Sequence, residues 1–354
     1  MNVPRLPAKD PREARVLDVM RSLGYSTKDT FALDSGVVVG RVSIVHGAHC
    51  EVISCDHTGA ERTYDCRLSP HQAPRPVAGD WVKLVNEQIA DVMTRRSALR
   101  RPDPNGRDVQ VLAANLDLVL LVVPINRGLN IRMLERFAIM AWESGAQPFV
   151  VLTKSDAARN VAALIDAAAL AVPGVEILTT SSESGEGIEH LRTLMHEGVT
   201  AVMLGASGAG KTSLLNALEG SAELTRSVTR RGEGRHATTT RKLYRLRAGG
   251  VLLDIPGIRL LDLLVGQEGV NETFADIGEL AANCRFRDCA HRGDLGCAVE
   301  AAVNSGALSR QRLESWRMVQ SELTHQEHRR SPEEMARGRR SKPSPKPDDH
   351  DPDE

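Results

Sequence analysis

Between residues 37 and 85, apolar residues come in short runs that are separated by Gly, His, Asp and Pro. Such runs, rich in β-branched residues, are typical of short strands in an all-β domain. We therefore predict a small β-barrel that ends near residue 100, of a size that fits the five-stranded oligonucleotide-binding (OB) type. A β-sandwich with no binding role is the alternative. The predicted strands are Val37–Ile44, Cys50–Cys55, Thr63–Leu68 and Asp80–Val85.

After Val109 the pattern changes to apolar strands that alternate with helical, partly amphipathic segments. This alternation predicts a parallel sheet with helices on both faces and with ligand loops at the carboxyl ends of its strands. The predicted strands are Leu116–Val123, Pro148–Leu152, Val175–Thr179, 201–204 and 251–253, and the predicted helices are Ile131–Gly145, 160–170 and one from Ile188.

The amino-acid composition disfavours some functions but does not identify a binding partner. The 45 Lys plus Arg nearly balance the 46 Asp plus Glu, and aromatic residues make up only 3%, which disfavours a base-stacking platform along the whole chain. The N-terminus has no apolar signal core and no apolar run could span a bilayer, so we expect a cytoplasmic protein without membrane contact. No feature predicts an oligomer, and we expect a monomer.

The segment Gly205–Thr212 reads G-x-x-x-x-G-K-T, between a predicted strand and a predicted helix. This is the context of a phosphate-binding loop, in which backbone N–H groups surround phosphate oxygens at a helix N-terminus. Lys211 is predicted to reach the β- and γ-phosphates, and Thr212 to offer its hydroxyl to Mg²⁺. A Gly/Ala-rich turn before a helix is the structural alternative.

The turn Thr153–Asp156 follows a strand and approximates N-K-x-D. A carboxylate can accept two hydrogen bonds from guanine, at N1–H and the N2 amine, and adenine presents no such pair. A site that buries this acceptor therefore favours guanine strongly. Further along the chain, a threonine of the segment Gly234–Thr240 is a candidate nucleotide-sensing switch. After the next strand, Asp254–Gly257 reads D-x-P-G, with Asp254 predicted at Mg²⁺ and the Gly257 N–H at the γ-phosphate.

The order of these motifs is informative. In this chain the base motif precedes the phosphate loop and the switches, whereas ordinary GTPases run from phosphate loop to switches to base motif. The order predicts a circularly permuted GTPase. As a consequence, the second switch leads directly into the C-terminal part of the chain.

Near the C-terminus, Cys284, Cys289, His291 and Cys297 lie at short spacing among polar residues. Three thiolates and one imidazole make a tetrahedral zinc set with no spare position, which predicts one structural Zn²⁺. Helical patterns follow at Val303 and from Leu308 to Leu323. The arginines of this region either contact RNA phosphates or form an ordinary solvated face. They are Arg285, Arg287, Arg292, Arg310 and Arg312.

Two other charged segments have the same two interpretations, phosphate contact or solvation. One follows the predicted barrel, and the other begins near Ser331 and ends in an acidic run, which composition predicts to be disordered. The arginines of the first are Arg95, Arg96, Arg100, Arg101 and Arg107.

Together these residues resemble the ribosome small-subunit-dependent GTPase A (RsgA) family. The resemblance is carried by G-D-W-V at Gly79–Val82, A-A-N-L-D at Ala113–Asp117, G-R-H at Gly234–His236, D-I-P-G at Asp254–Gly257 and the cysteine cluster through Val299. It implies an OB-fold barrel, a circularly permuted P-loop GTPase domain and an α-helical zinc domain. It also implies GTP hydrolysis on the small ribosomal subunit and its rRNA during late maturation, followed by release. An RNA-binding assembly module that uses GTP only as a structural ligand is the alternative, and Asp156 disfavours an ATP-dependent enzyme.

Two positions depart from the family pattern. Thr153 stands where asparagine is usual, and Ala237 where a threonine is common, so Thr238 or Thr239 is the expected Mg²⁺-sensing residue. Ile258 occupies the position of the usual water-orienting glutamine, and His236 resembles the histidine proposed for that task, with RNA contact or loop capping as its alternative.

The sequence therefore predicts one catalytic residue, His236, and four magnesium ligands, Thr212, Thr238, Thr239 and Asp254. The expected domains are a leader (1–34), the barrel (35–100), the GTPase domain (101–268), the zinc domain (269–330) and a disordered tail (331–354). The leader carries a short helical pattern, and we expect it to be loosely ordered or docked on a neighbour. The predicted nucleotide-binding residues are Thr153, Lys154, Ser155, Asp156, Ser181, Ser182, Gly205, Ala206, Ser207, Gly208, Ala209, Gly210, Lys211, Thr212, Ser213 and Gly257.

Overall fold

The computed structural model describes residues 11–26, 29, 38–56, 58–69, 73–102, 109–220, 241–254 and 266–340. The chain divides into two compact units, Met1–Ala282 and Asn283–Glu354. Within the described ranges, no helix has both the length and the apolar character needed to cross a membrane.

The N-terminal strands form the predicted OB-type barrel. They are β1 (Val38–His46), β2 (His49–Cys55), β3 (Glu61–Arg67), β4 (Trp81–Val85) and β5 (Gln88–Val92). β1 pairs with β2 and β4, β2 with β3, and β4 with β5, all antiparallel. The backbone N–H of Arg67 on β3 donates to the Gln88 side chain on β5 at 3.0 Å, which brings the two ends of the curved sheet together. The interior is apolar and includes Val42, Val52 and Val82.

The leader contains one helix, α1 (Pro11–Ser22), which docks on the barrel. Met20 and Leu23 are fully buried and pack in one cluster with Val39 and Trp81 of the barrel. The Tyr25 ring meets the Trp81 ring edge-on, with centroids 5.9 Å apart. Of the two expectations for the leader, docking on a neighbour is therefore the one that the structure shows for this helix.

Behind the barrel, a separate antiparallel pair of strands leads into a mixed sheet of six strands. The pair is β6 (Ala98–Pro102) and β7 (Val109–Ala114), and the six are β8 (Leu118–Pro124), β9 (Gln147–Thr153), β10 (Glu176–Thr180), β11 (Thr200–Leu204), β12 (Arg241–Arg245) and β13 (Val251–Asp254). The spatial order of the six is β10-β9-β8-β11-β13-β12, and all neighbours are parallel except β12, which is antiparallel to β13.

Helices cover both faces of this sheet, as the alternating pattern predicts. α2 (Ile131–Glu143) and α3 (Val161–Ala171) bury their apolar faces in one core, and α4 (Ile188–Leu194) and α5 (Lys211–Glu219) in the other. The strand β8 supplies both cores, because successive side chains of a strand point to opposite faces. Val119, Leu121 and Val123 enter the first core, whereas Leu120 and Val122 enter the second.

The barrel and the six-stranded sheet share one continuous set of hydrogen-bonded strands. β12 pairs with β13 on one side and with β1 on the other, where Ile44 lies opposite Lys242. An ion pair spans the same junction, with the Arg245 guanidinium 2.6 and 2.8 Å from the two carboxylate oxygens of Glu61. The strand β12, which follows the segment predicted to be the first switch, is therefore tied directly to the barrel.

A buried arginine fills the centre of this junction. Arg41 on β1 is fully buried and donates to the carbonyls of Leu23, Gly79 (3.2 Å) and Asn115 (3.1 Å) and to the Thr200 hydroxyl (2.8 Å). Burial lowers the pKa of its guanidinium to about 10, so the group stays charged at neutral pH. One side chain thus connects the leader, the barrel and the start of β11.

Two of the arginines after the barrel form buried or half-buried ion pairs within the protein. Neither phosphate contact nor solvation, the two interpretations from sequence, anticipates this role. Arg95 forms a double hydrogen bond to the buried carboxylate of Asp80 at 2.7 Å. Arg96 binds both Asp29 and Asp117. Arg101 donates to Gln110, and Arg107 lies outside the described residues.

Two short helices close the first unit, α6 (Gln267–Thr273) and α7 (Ala275–Ala281). α6 lies so close to α2 that a Cβ on Gly269 would meet the Ile139 carbonyl oxygen at 2.1 Å. This packing places the division between units after Ala282, C-terminal to the boundary predicted at residue 268.

The second unit holds the cysteine cluster, α8 (Ala298–Ser305) and the long α9 (Arg310–Arg340). Residues 331–340 lie in α9, where composition predicts disorder, as a continuation of the helix that begins at Arg310 and in spite of the poor helix formers Pro332 and Gly338. Residues 341–354 lie outside the described residues.

Candidate functional site

The phosphate loop connects β11 to α5, the strand–loop–helix context that the motif requires. A Cβ on Gly205 would meet the Val122 carbonyl oxygen at 2.5 Å, and Gly210 has φ +98° at the helix start, so both positions require glycine. Ala206, Ser207 and Gly208 are exposed at the loop's outer side. The loop backbone is therefore open to a ligand at the N-terminus of α5.

Two opposite charges face each other across this loop. The Lys211 ammonium donates to the carbonyls of Gly205 (2.6 Å) and Ala206 (3.1 Å). Burial lowers the pKa of Lys211, and the nearby Asp254 carboxylate opposes that shift. Burial likewise raises the pKa of Asp254, which ends β13, and Lys211 opposes it. Thr212 and Ser213 lie exposed in the first turn of α5.

The base motif is tied to the phosphate loop by two hydrogen bonds. Thr153, buried at the end of β9, donates its hydroxyl to the Ala209 carbonyl at 2.6 Å, and the Lys154 ammonium donates to the Gly208 carbonyl at 2.9 Å. The threonine that stands where the family has asparagine therefore anchors the motif to the loop backbone. The motif and the loop, far apart in sequence, form one site.

Asp156 and Ser181 also come together, at the ends of neighbouring strands. Ser181, fully buried after β10, donates its hydroxyl to the Asp156 carboxylate at 2.5 Å. Ser155 begins a short 3-10 turn and donates to the carboxylate of Glu186, a residue that the motif analysis does not include. The only sequence signal for Glu186 is its place between Gly185 and Gly187.

The other predicted site residues have no site contact among the described hydrogen bonds or lie outside the described residues. Ser182 directly follows Ser181 and is exposed in the loop after β10. His236, Thr238, Thr239 and Gly257 lie outside the described residues, so their roles remain predictions from sequence.

In the second unit, the four predicted metal ligands form one cluster. The ligand atoms of Cys284, Cys289, His291 and Cys297 all lie within 4.8 Å of one another. The Sγ atoms of Cys284 and Cys297 are each 3.5 Å from His291 Nδ1. A tetrahedral zinc ion with ordinary Zn–S and Zn–N bond lengths holds such atoms about 3.6 Å apart. The donor set and its spacing therefore fit Zn²⁺.

The electrostatics of the cluster also fit a cation. Burial opposes ionisation of Cys284, but hydrogen bonds from the backbone N–H groups of Ala298 and Val299 hold its pKa below the usual range. Burial, together with the adjacent thiols Cys284 and Cys297, raises the pKa of Cys289 to about 12. A divalent cation among these sulfurs removes the repulsion between thiolates.

Surrounding residues support the cluster from both helices of the unit. Cys297 is the N-cap of α8, with its sulfur 3.3 Å from the Glu300 N–H. Arg317 of α9 binds the His291 carbonyl and, at 2.6 Å, the Glu300 carboxylate. The His291 ring lies against Trp316, with centroids 5.5 Å apart.

Comparison with known proteins places this arrangement in a family. The sequence model of the RsgA GTPase family matches residues 92–264. A small ribosomal subunit biogenesis GTPase RsgA of Streptomyces coelicolor is 43% identical over 310 residues, which cover 84% of this chain and 84% of the relative. The chain belongs to the RsgA GTPase family. A relative from Lactiplantibacillus plantarum with the same description, numbered RsgA 2, is 37% identical over 83% of this chain and 85% of its own length.

Solved structures of similar proteins agree with the fold. The crystal structure of YjeQ from Thermotoga maritima is 26% identical, covers 81% of this chain and 99% of its own, and superposes with a TM-score of 0.61. YloQ, a circularly permuted GTPase, is 22% identical, covers 84% and 98% of the two chains, and has a TM-score of 0.58. The multidomain fold with a permuted GTPase sheet is thereby confirmed, and the cysteine cluster provides the candidate zinc site in its C-terminal part.

Proposed function

We infer that this chain is a GTPase that acts in late maturation of the small ribosomal subunit, hydrolyses GTP to GDP and phosphate while bound there, and then dissociates. The observation that carries this inference is the single site formed by Thr153–Asp156, the phosphate loop and Asp254 at the carboxyl ends of β9, β11 and β13. Relatives over most of the chain are named small ribosomal subunit biogenesis GTPases, which supports the process but not its individual steps. Comparison of GTP turnover with and without small subunits separates this function from a GTP-bound assembly module with negligible catalysis.

In the proposed site, Asp156 reads the guanine edge, and the loop 205–210 surrounds the phosphates at the start of α5. Lys211 compensates the β- and γ-phosphate charge, a task that suits an ammonium held among backbone carbonyls. Thr212, Asp254 and one of Thr238 and Thr239 would hold Mg²⁺, which neutralises charge on the phosphate oxygens when bound. Support comes from the position of Thr212 directly after Lys211 in α5 and from the electrostatic interaction between Lys211 and the Asp254 carboxylate at the end of β13.

Orientation of the attacking water is assigned to His236. A glutamine after D-x-x-G commonly performs this task, but Ile258 occupies that position and has no polar group to bind water. We expect slow hydrolysis by the free protein and faster hydrolysis when the protein is bound to the small subunit.

Replacement of His236 by alanine is expected to lower subunit-stimulated turnover by about 100-fold, because loss of a positioned proton-transfer or water-binding group typically costs 10²–10⁴-fold. The GDP dissociation constant should stay within about twofold, since the residue does not read base or phosphate. Single-turnover hydrolysis and GDP titration measure the two quantities. His196→Ala, an exposed histidine after α4, is the matched control, and stimulated turnover of His236→Ala equal to that of the control would refute the role.

The metal cluster is assigned a structural role, because Cys284, Cys289, His291 and Cys297 complete a tetrahedral set. We expect one zinc per chain by elemental analysis, and chelation should reduce the helical circular dichroism while the first unit keeps its GDP affinity. Cys284→Ser should lose the metal, whereas Cys55→Ser, a barrel cysteine outside the cluster, should retain it. A protein that keeps its full helicity after complete zinc removal would contradict the structural role.

The proposed partner is the small subunit and its rRNA. On the zinc unit, Phe286 is 48% exposed with the Arg285 guanidinium 5.4 Å from its ring, and Arg287 and Arg292 are also exposed. Arginines beside an exposed aromatic ring suit RNA phosphates and bases. Arg310 is instead paired with Glu300, and Arg312 is buried. We further propose that the protein acts as a monomer in the cytoplasm, where its partner is assembled.

A further inference from the structure

We propose that Glu186 is a positioning residue that holds the guanine-reading turn in its binding conformation and thereby sets selectivity for guanine. It does not contact the base in this proposal. The inference rests on the proposed role of Asp156 as the guanine acceptor.

The turn that carries Asp156 needs external support. Lys154 has φ +63°, a left-handed conformation that is unfavourable for a residue with a side chain. Its ammonium and the Thr153 hydroxyl bind the phosphate loop, and these bonds fix the N-terminal side of the turn. These two bonds do not fix the C-terminal side of the turn, which carries Ser155 and Asp156 and needs other partners.

Glu186 provides those bonds with both carboxylate oxygens. Its Oε2 accepts from the Ser155 hydroxyl at 2.8 Å, and its Oε1 accepts from the Thr179 hydroxyl at 3.2 Å. Ser155 is buried and directly precedes Asp156, while Thr179 lies on β10. The carboxylate therefore connects the base-reading turn to the neighbouring strand of the sheet.

The backbone of Glu186 holds Ser181, the residue whose hydroxyl binds Asp156. Its carbonyl accepts from the Ser181 N–H at 3.1 Å, and the Ser181 hydroxyl donates to Asp156 at 2.5 Å. Gly187, with φ +70°, approaches the strand so closely that a Cβ there would meet the Thr179 carbonyl oxygen at 2.1 Å. Glu186 thus lies where the turn, the Ser181 loop and β10 converge.

The proposal predicts that hydrogen bonding rather than charge is required at this position. Both side-chain partners are hydroxyls, which can donate or accept, so a glutamine amide can satisfy them and an alanine cannot. Glu186→Ala should weaken GDP binding about fivefold, as expected for the loss of one or two hydrogen bonds, and IDP binding less than about twofold. IDP lacks the N2 amine and so depends less on the orientation of Asp156. Glu186→Gln should bind GDP within about twofold of the unmodified protein.

Calorimetric titration of the full chain with GDP and IDP tests this directly. Glu183→Ala is the matched control, because Glu183 is an exposed carboxylate in the same loop that reaches Ser181 only through its backbone N–H. The proposal is overturned if Glu186→Ala binds GDP like the control, if it loses GDP and IDP affinity equally, or if Glu186→Gln is as weak as Glu186→Ala.

An Asp156→Asn arm, titrated with XDP, separates this proposal from the one on which it depends. If that variant does not gain XDP affinity, the guanine-reading site is wrong and the role of Glu186 falls with it. If it gains XDP affinity while Glu186→Ala leaves GDP binding unchanged, only the role of Glu186 is wrong.

Discussion

Asp156→Asn should change the preference of the site from guanine to xanthine nucleotides, with a change of about 1,000-fold in the ratio of the GDP and XDP dissociation constants. The aspartate accepts hydrogen bonds from guanine N1–H and the N2 amine, whereas an asparagine amide offers one acceptor and one donor. That pair matches xanthine, which has a carbonyl in place of the amine. Competition titrations with GDP, XDP and ADP measure the preference.

The geometry around Asp156 makes this substitution a specific test. The Ser181 hydroxyl at 2.5 Å can bind an amide oxygen as it binds the carboxylate, so the turn should keep its conformation. Asp166→Asn, on α3, is a control with the same chemical change away from the site. A variant that still prefers GDP, or that loses all nucleotides alike, would show that Asp156 does not read the base.

Arg41→Met should lower the free energy of unfolding of the first unit by about 3 kcal/mol or more, because each buried acceptor that is left without its donor costs about 1–3 kcal/mol. The methionine fills similar volume but leaves the carbonyls of Leu23, Gly79 and Asn115 without their donor. The free energy of unfolding of Arg41→Lys should lie between those of the unmodified protein and Arg41→Met, since an ammonium keeps the charge but cannot reproduce the planar arrangement of guanidinium donors. Urea unfolding followed by circular dichroism provides the free energies.

Arg67→Met is the appropriate control for the loss of an arginine from the barrel. Arg67 is exposed on β3, and its recorded bond to Gln88 is made by its backbone N–H. Its substitution should change the unfolding free energy by less than about 0.5 kcal/mol. If Arg41→Met is as stable as this control, the junction between barrel and GTPase sheet does not depend on the buried arginine.

Local patterns in the sequence are sufficient for most of the regular elements. The run Leu116–Val123 gives β8 to within two residues at its start, and the amphipathic pattern from Ile131 gives α2. Motif context also locates the phosphate loop correctly between β11 and α5. These elements have strong hydrophobic periodicity, which is the signal that a single sequence carries best.

The elements and pairings that the sequence pattern does not predict depend on contacts between residues far apart in the chain. β5 and β6 are short and polar, and nothing local predicts that β12 pairs with β1. From sequence alone, Arg95 and Arg96 look like solvated charges of a linker. Only the fold places Asp80 beside Arg95 and Asp117 beside Arg96.

Within the site, residue types were predictable and their partners were not. The sequence places Thr153 in the base motif, but only the fold shows that its hydroxyl binds the Ala209 carbonyl. Glu186 carries no motif signal, because its partners Ser155 and Thr179 meet it only after β9 and β10 pair.

We propose that this GTPase completes its catalytic site on the small ribosomal subunit. The most direct test is GTP turnover measured with and without purified small subunits, with Asp156→Asn included to show that the activity belongs to this chain. We predict stimulation of at least about 100-fold for the unmodified protein, the lower end of what one positioned catalytic group supplies. The variant should be stimulated with XTP and not with GTP. Equal turnover with and without subunits, despite intact GTP binding, would contradict the account.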